Sequence, residues 1–540
     1  MENKEEKEIA RRKKRIKNIF FGWVKDNYDK AFLLVLATAF LAYLFVFFKT
    51  LNQPLWYDAA NYLATAKRLV FPKLGLNDIW YYRRGFFWAL FPALFFALGL
   101  GEAGVRLSLV FFGSGIVLTS YLLLSKMFDK KKALISSIGV AFSWIVLFFV
   151  GRPLTDIPAC FFLLLSLLFF WKGYVLKEGK KFLYLFGVFL AFSFLTRMQT
   201  LMFVPAFLII IFLKEKFKFL LNKDLWIVFF IFLLLMTPHI ILYSKHYGNP
   251  IKDLTTYYLK IGENPSFEGG SKDEKSFSNL FSYFRDLPYM LGGQFLLGKA
   301  IFFLFLFGAF IFFLELFLGF DKIFKSKELQ KKIFVFSWIV IPFLALGYIT
   351  EYIEQRYILS TLPFFFLLAS LPLFSLEKYL GKNKKSSIIL IAILFLILMI
   401  PNIIWANKLI EIKKTSYLQV KEAALWIKEN SNPGDIVISN SQPYIVYYGE
   451  RPTYSFNVRQ EGLHYQKKEL LNYSWGEKGL DEFVKEKKPK YLMLSIFENH
   501  KEWMYEYPQK HNDTLIPVKA WFADSQKKQP IIIIYEFKHV

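Results

Sequence analysis

The sequence predicts a polytopic α-helical membrane protein of about eleven spans, followed by a folded C-terminal α/β domain on the far side of the bilayer. Three observations carry this. The 540 residues are 55% hydrophobic and include 64 Phe, more apolar surface than a water-soluble fold can cover. Apolar runs long enough to cross the hydrocarbon core as helix recur, for example 31–48, 301–318 and 388–404. Lysines and arginines fall in short clusters between those runs, so the formal net charge of +25 reads as membrane-loop charge and no nucleic-acid partner is expected.

The first 30 residues form a basic tail with ten Lys and Arg, read as the cytoplasmic side of an uncleaved signal-anchor. Spans are expected at 31–50, 104–125, 133–150, 157–171, 182–196, 198–213, 224–243, 297–318, 333–350, 357–374 and 387–405. Loops 126–132, 172–181, 214–223, 319–332 and 377–385 carry four, four, four, five and four basic residues. Loops 151–156, 196–199 and 351–356 carry one each: Arg152, Arg197 and Arg356. This alternation places the N-terminus in the cytoplasm and residues 406–540 outside. It also puts two long segments outside, 51–103 and 244–296. The apolar stretch 85–100 would invert every later loop if it crossed, so a re-entrant or interfacial helix is expected there.

Beyond residue 405 the pattern changes. An amphipathic helix over 417–430 stops at Asn432-Pro433-Gly434, a strand follows at 435–439, a helix at 477–487, and strands at 490–496 and 531–537. That alternation predicts a small α/β domain. Two glycosylation sequons, at Asn472 and Asn512, fall within it. The single cysteine, Cys160, excludes an internal disulfide and any Cys-rich metal motif. A prokaryotic cell membrane suits this compact, cysteine-poor chain.

Polar groups at the outer membrane face are few, and four sets converge there. In Trp56–Thr65, Asp58, Asn61, Tyr62 and Thr65 share one helical face while Ala59, Leu63, Ala66 and Val70 share the opposite one. The pattern reads as a helix in the outer interface presenting Asp58, or more plainly as Asp58 capping that helix. Arg152-Pro153-Leu154-Thr155-Asp156-Ile157-Pro158 is a normal helix start, and equally a carboxylate beside an arginine in a short outer loop. Thr196-Arg197-Met198-Gln199 holds an arginine at the boundary, suited to a lipid phosphate or to simple snorkelling. Glu351-Tyr352-Ile353-Glu354-Gln355-Arg356-Tyr357 places two acids and an arginine in one short turn, as a site or as a surface ion pair. Arg83 and Arg84 add positive charge on the same side. Arginines that hold a phosphate, beside an aspartate that removes a proton from an incoming hydroxyl, suit transfer from an anionic lipid. Trp and Tyr at the same depth would stack on sugar rings.

Taken in order, these residues resemble the GT-C superfamily of membrane glycosyltransferases, in particular its protein O-mannosyltransferase (glycosyltransferase family 39) and aminoarabinose transferase-like group. The resemblance rests on WYDAANYLATAKRL, YYRRGFFWALFPALFFALG, RPLTDIPACFFLLL and EQRYILSTLPFFFLLA, and covers roughly residues 31–375. It implies a GT-C-like bundle and an inverting transfer from a polyprenyl- or dolichyl-phosphate sugar. The acceptor would be a glycan, lipid or protein hydroxyl at the outer or lumenal face. Asp58 takes the position of the family's catalytic acid, Asp156 that of its second acid, and Arg356 that of the arginine in its Arg-Tyr motif. Many members have Asp-Glu where this chain has Asp58-Ala59. An oligosaccharyltransferase is a related alternative, but its Trp-Trp-Asp signature is absent from the C-terminal domain.

The expected roles are Asp58 as general base, Arg84, Arg197 and Arg356 as ligands of the donor phosphate, and Asp156 as orienter of the acceptor or ligand of a divalent metal. Tyr62, Arg83, Glu351, Glu354 and Tyr357 would support them. No cofactor is demanded, and a divalent metal is compatible. His239 lies within a span and His246 stands alone nearby, so no histidine cluster faces outward. The alternatives are a polytopic transporter or lipid flippase, and a plain membrane anchor for the C-terminal domain. A transporter would place ionisable groups mid-membrane and show repeated halves, whereas here they gather at one face.

Overall fold

The structure is a computed structural model and describes residues 23–81, 84–248, 280–349, 353–376, 384–456, 470, 473–474, 476–498, 500–523, 526 and 528–539. Each apolar run expected to span is helical, since in lipid a segment must satisfy its own backbone. Eight of the described helices are long and apolar enough to cross a membrane: Asn27–Thr50, Gly101–Met127, Asp156–Val175, Lys223–His246, Lys299–Leu318, Lys327–Ile349, Gln355–Ser375 and Ser387–Ile412. The chain is an integral, multi-pass membrane protein. The Gln355–Ser375 window is 83% buried and forms the centre of the bundle, whereas Lys223–His246, 17% buried, turns its side chains outward. Close helix approach uses small residues, as where a Cβ on Gly308 would strike the Leu368 carbonyl.

The other three expected spans are shorter or interrupted. Lys180–Thr196 has 17 residues, and Val204–Glu215 is preceded by a 3₁₀ turn, Met198–Phe203. The run 133–150 breaks at Ser143, whose ψ of 132° separates Lys130–Phe142 from Trp144–Phe149. A side chain from elsewhere repairs the break. The Trp144 N–H donates to Asn402 Oδ1 at 3.2 Å, and Asn402 Nδ2 donates to the Leu291 carbonyl at 3.1 Å.

Stretch 85–100 forms the 11-residue helix Phe87–Ala97, about 16 Å long and far short of a hydrocarbon core of about 30 Å. The helix Tyr57–Val70 departs from the interfacial arrangement expected of it: Ala59 through Ala66 are buried on both faces. The Phe87–Ala97 helix covers one side and residues 442–449 of the C-terminal domain cover another. Asn61 and Thr65 consequently serve the fold, Asn61 Nδ2 donating to the Ile79 carbonyl at 2.8 Å and Thr65 to the Asn61 carbonyl at 2.9 Å.

The last membrane helix runs to Ile412, past the expected end at 405. A five-stranded mixed sheet follows, in the order β2-β1-β3-β5-β4. Its strands are β1 Val437–Ser439, β2 Thr453–Tyr454, β3 Tyr491–Ser495, β4 Leu515–Phe522 and β5 Pro530–Phe537. β1 lies parallel to β2 and β3, while β5 is antiparallel to β3 and β4. Helices Leu418–Glu429 and Glu477–Lys487 occur where the sequence predicts them. β2, β4 and the helix Glu502–Lys510 were not legible: β2 is two residues long and β4 carries Pro517 and a register shift. Asn512 follows that helix, and Asn472 lies outside the described residues.

The sheet domain is fixed to the segment after the first membrane helix by polar contacts. Lys67 Nζ meets Glu450 at 2.5 Å, and the Leu55 N–H donates to Tyr448 Oη at 3.0 Å. Arg106, 2% exposed, donates to Glu102 at 2.7 Å, the Gly151 carbonyl at 2.9 Å and the Gln53 carbonyl at 2.8 Å. Tyr447 Oη completes that knot on Glu102 at 3.0 Å.

Candidate active site

Asp58 is the second residue of the helix Tyr57–Val70, whose N-cap is Trp56 with no side-chain cap bond. Its carboxylate does not cap the helix. Oδ1 accepts from Arg84 Nη2 at 2.7 Å, and Oδ2 lies 3.6 Å from Arg356 Nη2. Arg84 is held over the rings of Tyr62 and Tyr81 at 5.1 and 4.9 Å. Gly85 makes that placement possible, because a Cβ there would strike the main chain of Leu195, two residues before Arg197. The glycine thus brings Arg84 to the end of the helix that presents Arg197.

Asp156 opens the helix Asp156–Phe170 with its side chain 1% exposed. Its partners come from distant loops: Arg197 Nη1 at 3.1 Å and Arg356 Nη1 at 3.6 Å. Arg152, its neighbour in sequence, turns away, stacking on Trp56 and Phe148 and donating to the Phe148 carbonyl at 2.8 Å. Arg197 also donates to Thr155 Oγ at 2.8 Å and lies over the Tyr357 ring at 4.6 Å. Arg356, in the 3₁₀ turn Gln355–Thr361, touches both aspartates and reaches Glu354 on the rim at 3.2 Å.

Asp58, Asp156, Arg84, Arg197 and Arg356, read from five separate stretches of sequence, therefore form one cluster with Tyr62, Tyr357 and Glu354 around it. Arg83 and Glu351 lie outside the described residues. Reading the sequence missed Tyr81 and Thr155, which flank Arg84 and Arg197; their only signal is adjacency to charged residues. A small, partly open cleft is lined by Asp156, Arg197 and Arg356 together with Met202, Phe203 and Leu359. Both Asp156 oxygens, Arg84 Nη1 and Arg356 Nε are buried without an aligned hydrogen bond among the described residues.

Burial opposes the charge on Asp58, but Arg84, then Arg356 and Arg197, outweigh it and hold the carboxyl well below its usual range. Arg84 is correspondingly held firmly protonated: burial works against its charge and Asp58 more than restores it. The inner cluster sets three arginines against two aspartates and so carries a local positive bias, which Glu354 on the rim balances through Arg356. Among the described residues no group of three or more His, Cys, Asp or Glu side chains could hold a metal ion. Both aspartates are paired with arginine, which does not fit a divalent cation in this arrangement.

Residues 84–242 match the family described as dolichyl-phosphate-mannose-protein mannosyltransferase. Among solved structures, the chain is similar to ArnT from Cupriavidus metallidurans bound to undecaprenyl phosphate, with a TM-score of 0.56 and 12% identity over 95% of this chain and 98% of that one. It is also similar to the oligosaccharyltransferase AglB from Archaeoglobus fulgidus in complex with an inhibitory peptide and a dolichol-phosphate. There the TM-score is 0.52 with 16% identity, over 86% of this chain and 69% of that one. A search of curated protein sequences found no match. The chain thus has the GT-C membrane fold with a C-terminal sheet domain, and its segment 84–242 carries the sequence pattern of the dolichyl-phosphate-mannose-protein mannosyltransferases.

Proposed function

We propose that this protein is a glycosyltransferase that moves a sugar from a polyprenyl- or dolichyl-phosphate to an acceptor hydroxyl. One observation carries the reading: a single arginine, Arg356, lies 3.6 Å from each of two aspartates, with Arg84 and Arg197 closing the cluster at 2.7 and 3.1 Å. The inner positive bias, with buried donors on Arg84 and Arg356 that have no aligned acceptor, is a seat for a phosphate. The apolar wall of Met202, Phe203 and Leu359 suits the first isoprene units of a lipid tail. The match to a dolichyl-phosphate-dependent family and the undecaprenyl phosphate bound to ArnT support the same donor class.

In the proposed step the acceptor oxygen attacks the anomeric carbon as the carbon–oxygen bond to the phosphate breaks. The lipid phosphate leaves with the electron pair, and Arg84, Arg197 and Arg356 stabilise its charge. The hydroxyl proton passes to Asp58. Gripped by two arginines, Asp58 is always ionised but a weak base. A bound phosphate would draw Arg84 and Arg356 toward itself and restore basicity when it is needed. Asp156 would hold Arg197 and Arg356 in position and orient the acceptor. The charge bias of the loops puts the N-terminus in the cytoplasm and this site outside a cell membrane, with residues 413–540 as an outer domain.

Purified protein incubated with radiolabelled polyprenyl-phosphate sugars should move label to an acceptor or to water. Asp58→Asn should insert normally yet lose about 10²–10⁴-fold in rate; wild-type turnover by that variant removes the base assignment.

A further inference from the structure

The C-terminal sheet has a topological switch point that the cluster above does not use. β1 and β3 are parallel neighbours, and the chain leaves β1 toward β2 on one side and later returns to β3 on the other. Such a switch point opens a gap at the carboxyl ends of the two strands, where α/β folds bind ligands. Both loops that leave those ends are polar. Ser441 Oγ, after β1, donates to Glu498 Oε2, and Ser495 Oγ, the last residue of β3, donates to the same oxygen at 2.9 Å. His500 Nδ1 meets Asn440 Nδ2 at 2.9 Å. Glu498 Oε1 is buried with no hydrogen-bond partner among the described residues, and so is the hydroxyl of Tyr444, a fully buried residue.

Aromatic rings connect this crevice to Asp58. Tyr417 stacks on Tyr444 at 5.4 Å and 27°, and packs on Phe497 at 5.6 Å. Tyr57, beside Asp58 in sequence, meets Tyr444 edge-on at 6.2 Å. The hydroxyls of Tyr417 and Tyr444 are within electrostatic reach of both Asp58 and Glu498. Tyr417 holds its place with a left-handed backbone, φ 64°, that a bulky side chain adopts only under constraint.

We propose that this crevice binds the hydroxyl-bearing ring of a saccharide beside Asp58, with Glu498 accepting from ring hydroxyls and Tyr417 offering a stacking face. A carboxylate with one free oxygen, next to an aromatic face, is the chemistry that recognises a polyhydroxylated ring. The inference rests on the glycosyltransferase reading and gives the C-terminal domain a part in it. Burial raises the Glu498 carboxyl above its usual range, against its two serine bonds, and lowers the His500 imidazole to about 4.

The test uses the full-length protein in detergent and saturation-transfer difference NMR with methyl α-mannopyranoside, against cyclohexanol, which lacks neighbouring hydroxyls. Wild-type protein should saturate the glycoside and not cyclohexanol, and the signal should fall at least fivefold in Glu498→Gln. Tyr417→Gly, which relieves the backbone constraint while removing the ring, should lose it too. Ser495→Ala provides a second probe of the carboxylate should Glu498→Gln fail to fold. Preloading with polyprenyl-phosphate-mannose separates two sources: a signal that persists places an acceptor sugar there, and one that disappears places the donor's own sugar there. No glycoside signal above cyclohexanol, or an undiminished one in folded Glu498→Gln, overturns the proposal. Sugar release from polyprenyl-phosphate-mannose is measured in parallel. Its absence in wild-type protein sinks the glycosyltransferase reading and leaves the sugar contact to be judged separately.

Discussion

Two buried arginines at the same end of the bundle are used in opposite ways. Arg106 makes three short bonds, between 2.7 and 2.9 Å, to one carboxylate and two carbonyls. Arg356 reaches both aspartates only at 3.6 Å, and its buried Nε meets Glu354 at 3.2 Å without an aligned hydrogen bond. A saturated arginine closes a structure, whereas a slack one between two acids retains donors for an incoming anion. The contrast separates fold-holding charge from site charge without reference to what the protein binds.

The sharpest break of that contrast is substitution at each arginine. Arg356→Ala should lower glycosyl transfer about 10²–10³-fold, as loss of a charge-stabilising donor does, while thermal melting changes little. Arg106→Ala should do the reverse. Removing one partner of a buried pair costs about 3–5 kcal/mol, visible as a lower melting temperature with activity per folded molecule nearly unchanged. If both variants lose activity without losing stability, the distinction is wrong.

Gly85→Ala tests placement without touching any charge. The added methyl meets the Leu195 backbone, so Arg84 must shift, and a misplacement of about 1 Å is expected to cost about 10–10²-fold in rate. Supplying the donor at higher concentration should not rescue it.

The smallest effect is in pH. The Asp58 carboxyl sits below its ordinary value because Arg84 and its neighbours overcome burial. Its contribution to stability is complete above the unfolded value of about 3.9 and is lost only as pH falls through the lowered one. Between pH 5 and 8, Asp58 should therefore add no slope to the melting temperature. In Arg84→Ala the acid limb of the rate profile should move up toward pH about 4; an unmoved limb would show that Arg84 does not set the acidity of Asp58.

Much of this was legible in sequence because hydrophobic length and loop charge are local properties. The positions of the apolar helices follow from the runs, and Asp58, Asp156, Arg197 and Arg356 stood out as charges beside apolar runs. Pairings were not legible. Asp156 is next to Arg152 in sequence yet pairs with Arg197 and Arg356, because which loop tips meet depends on how the helices cross. The break at Ser143 was equally hidden, since serine is unremarkable in an apolar run and the side chain that repairs it, Asn402, is 259 residues away in the chain. Ser441 and Glu498 were overlooked because polar residues after short strands look like ordinary turns until the strands prove to be parallel neighbours.

That remote repair has a bearing on how the molecule is made. In hydrocarbon the Trp144 N–H has no water to turn to, and its acceptor is carried by the helix Lys384–Ile412, which emerges from the ribosome much later. The backbone at residue 144 therefore gains this acceptor only when the later helix docks. Asn402, whose Nδ2 also donates to the Leu291 carbonyl, works as the latch that completes the bundle. Asn402→Leu should leave insertion of each helix intact while the finished protein becomes sensitive to proteolysis near residue 143.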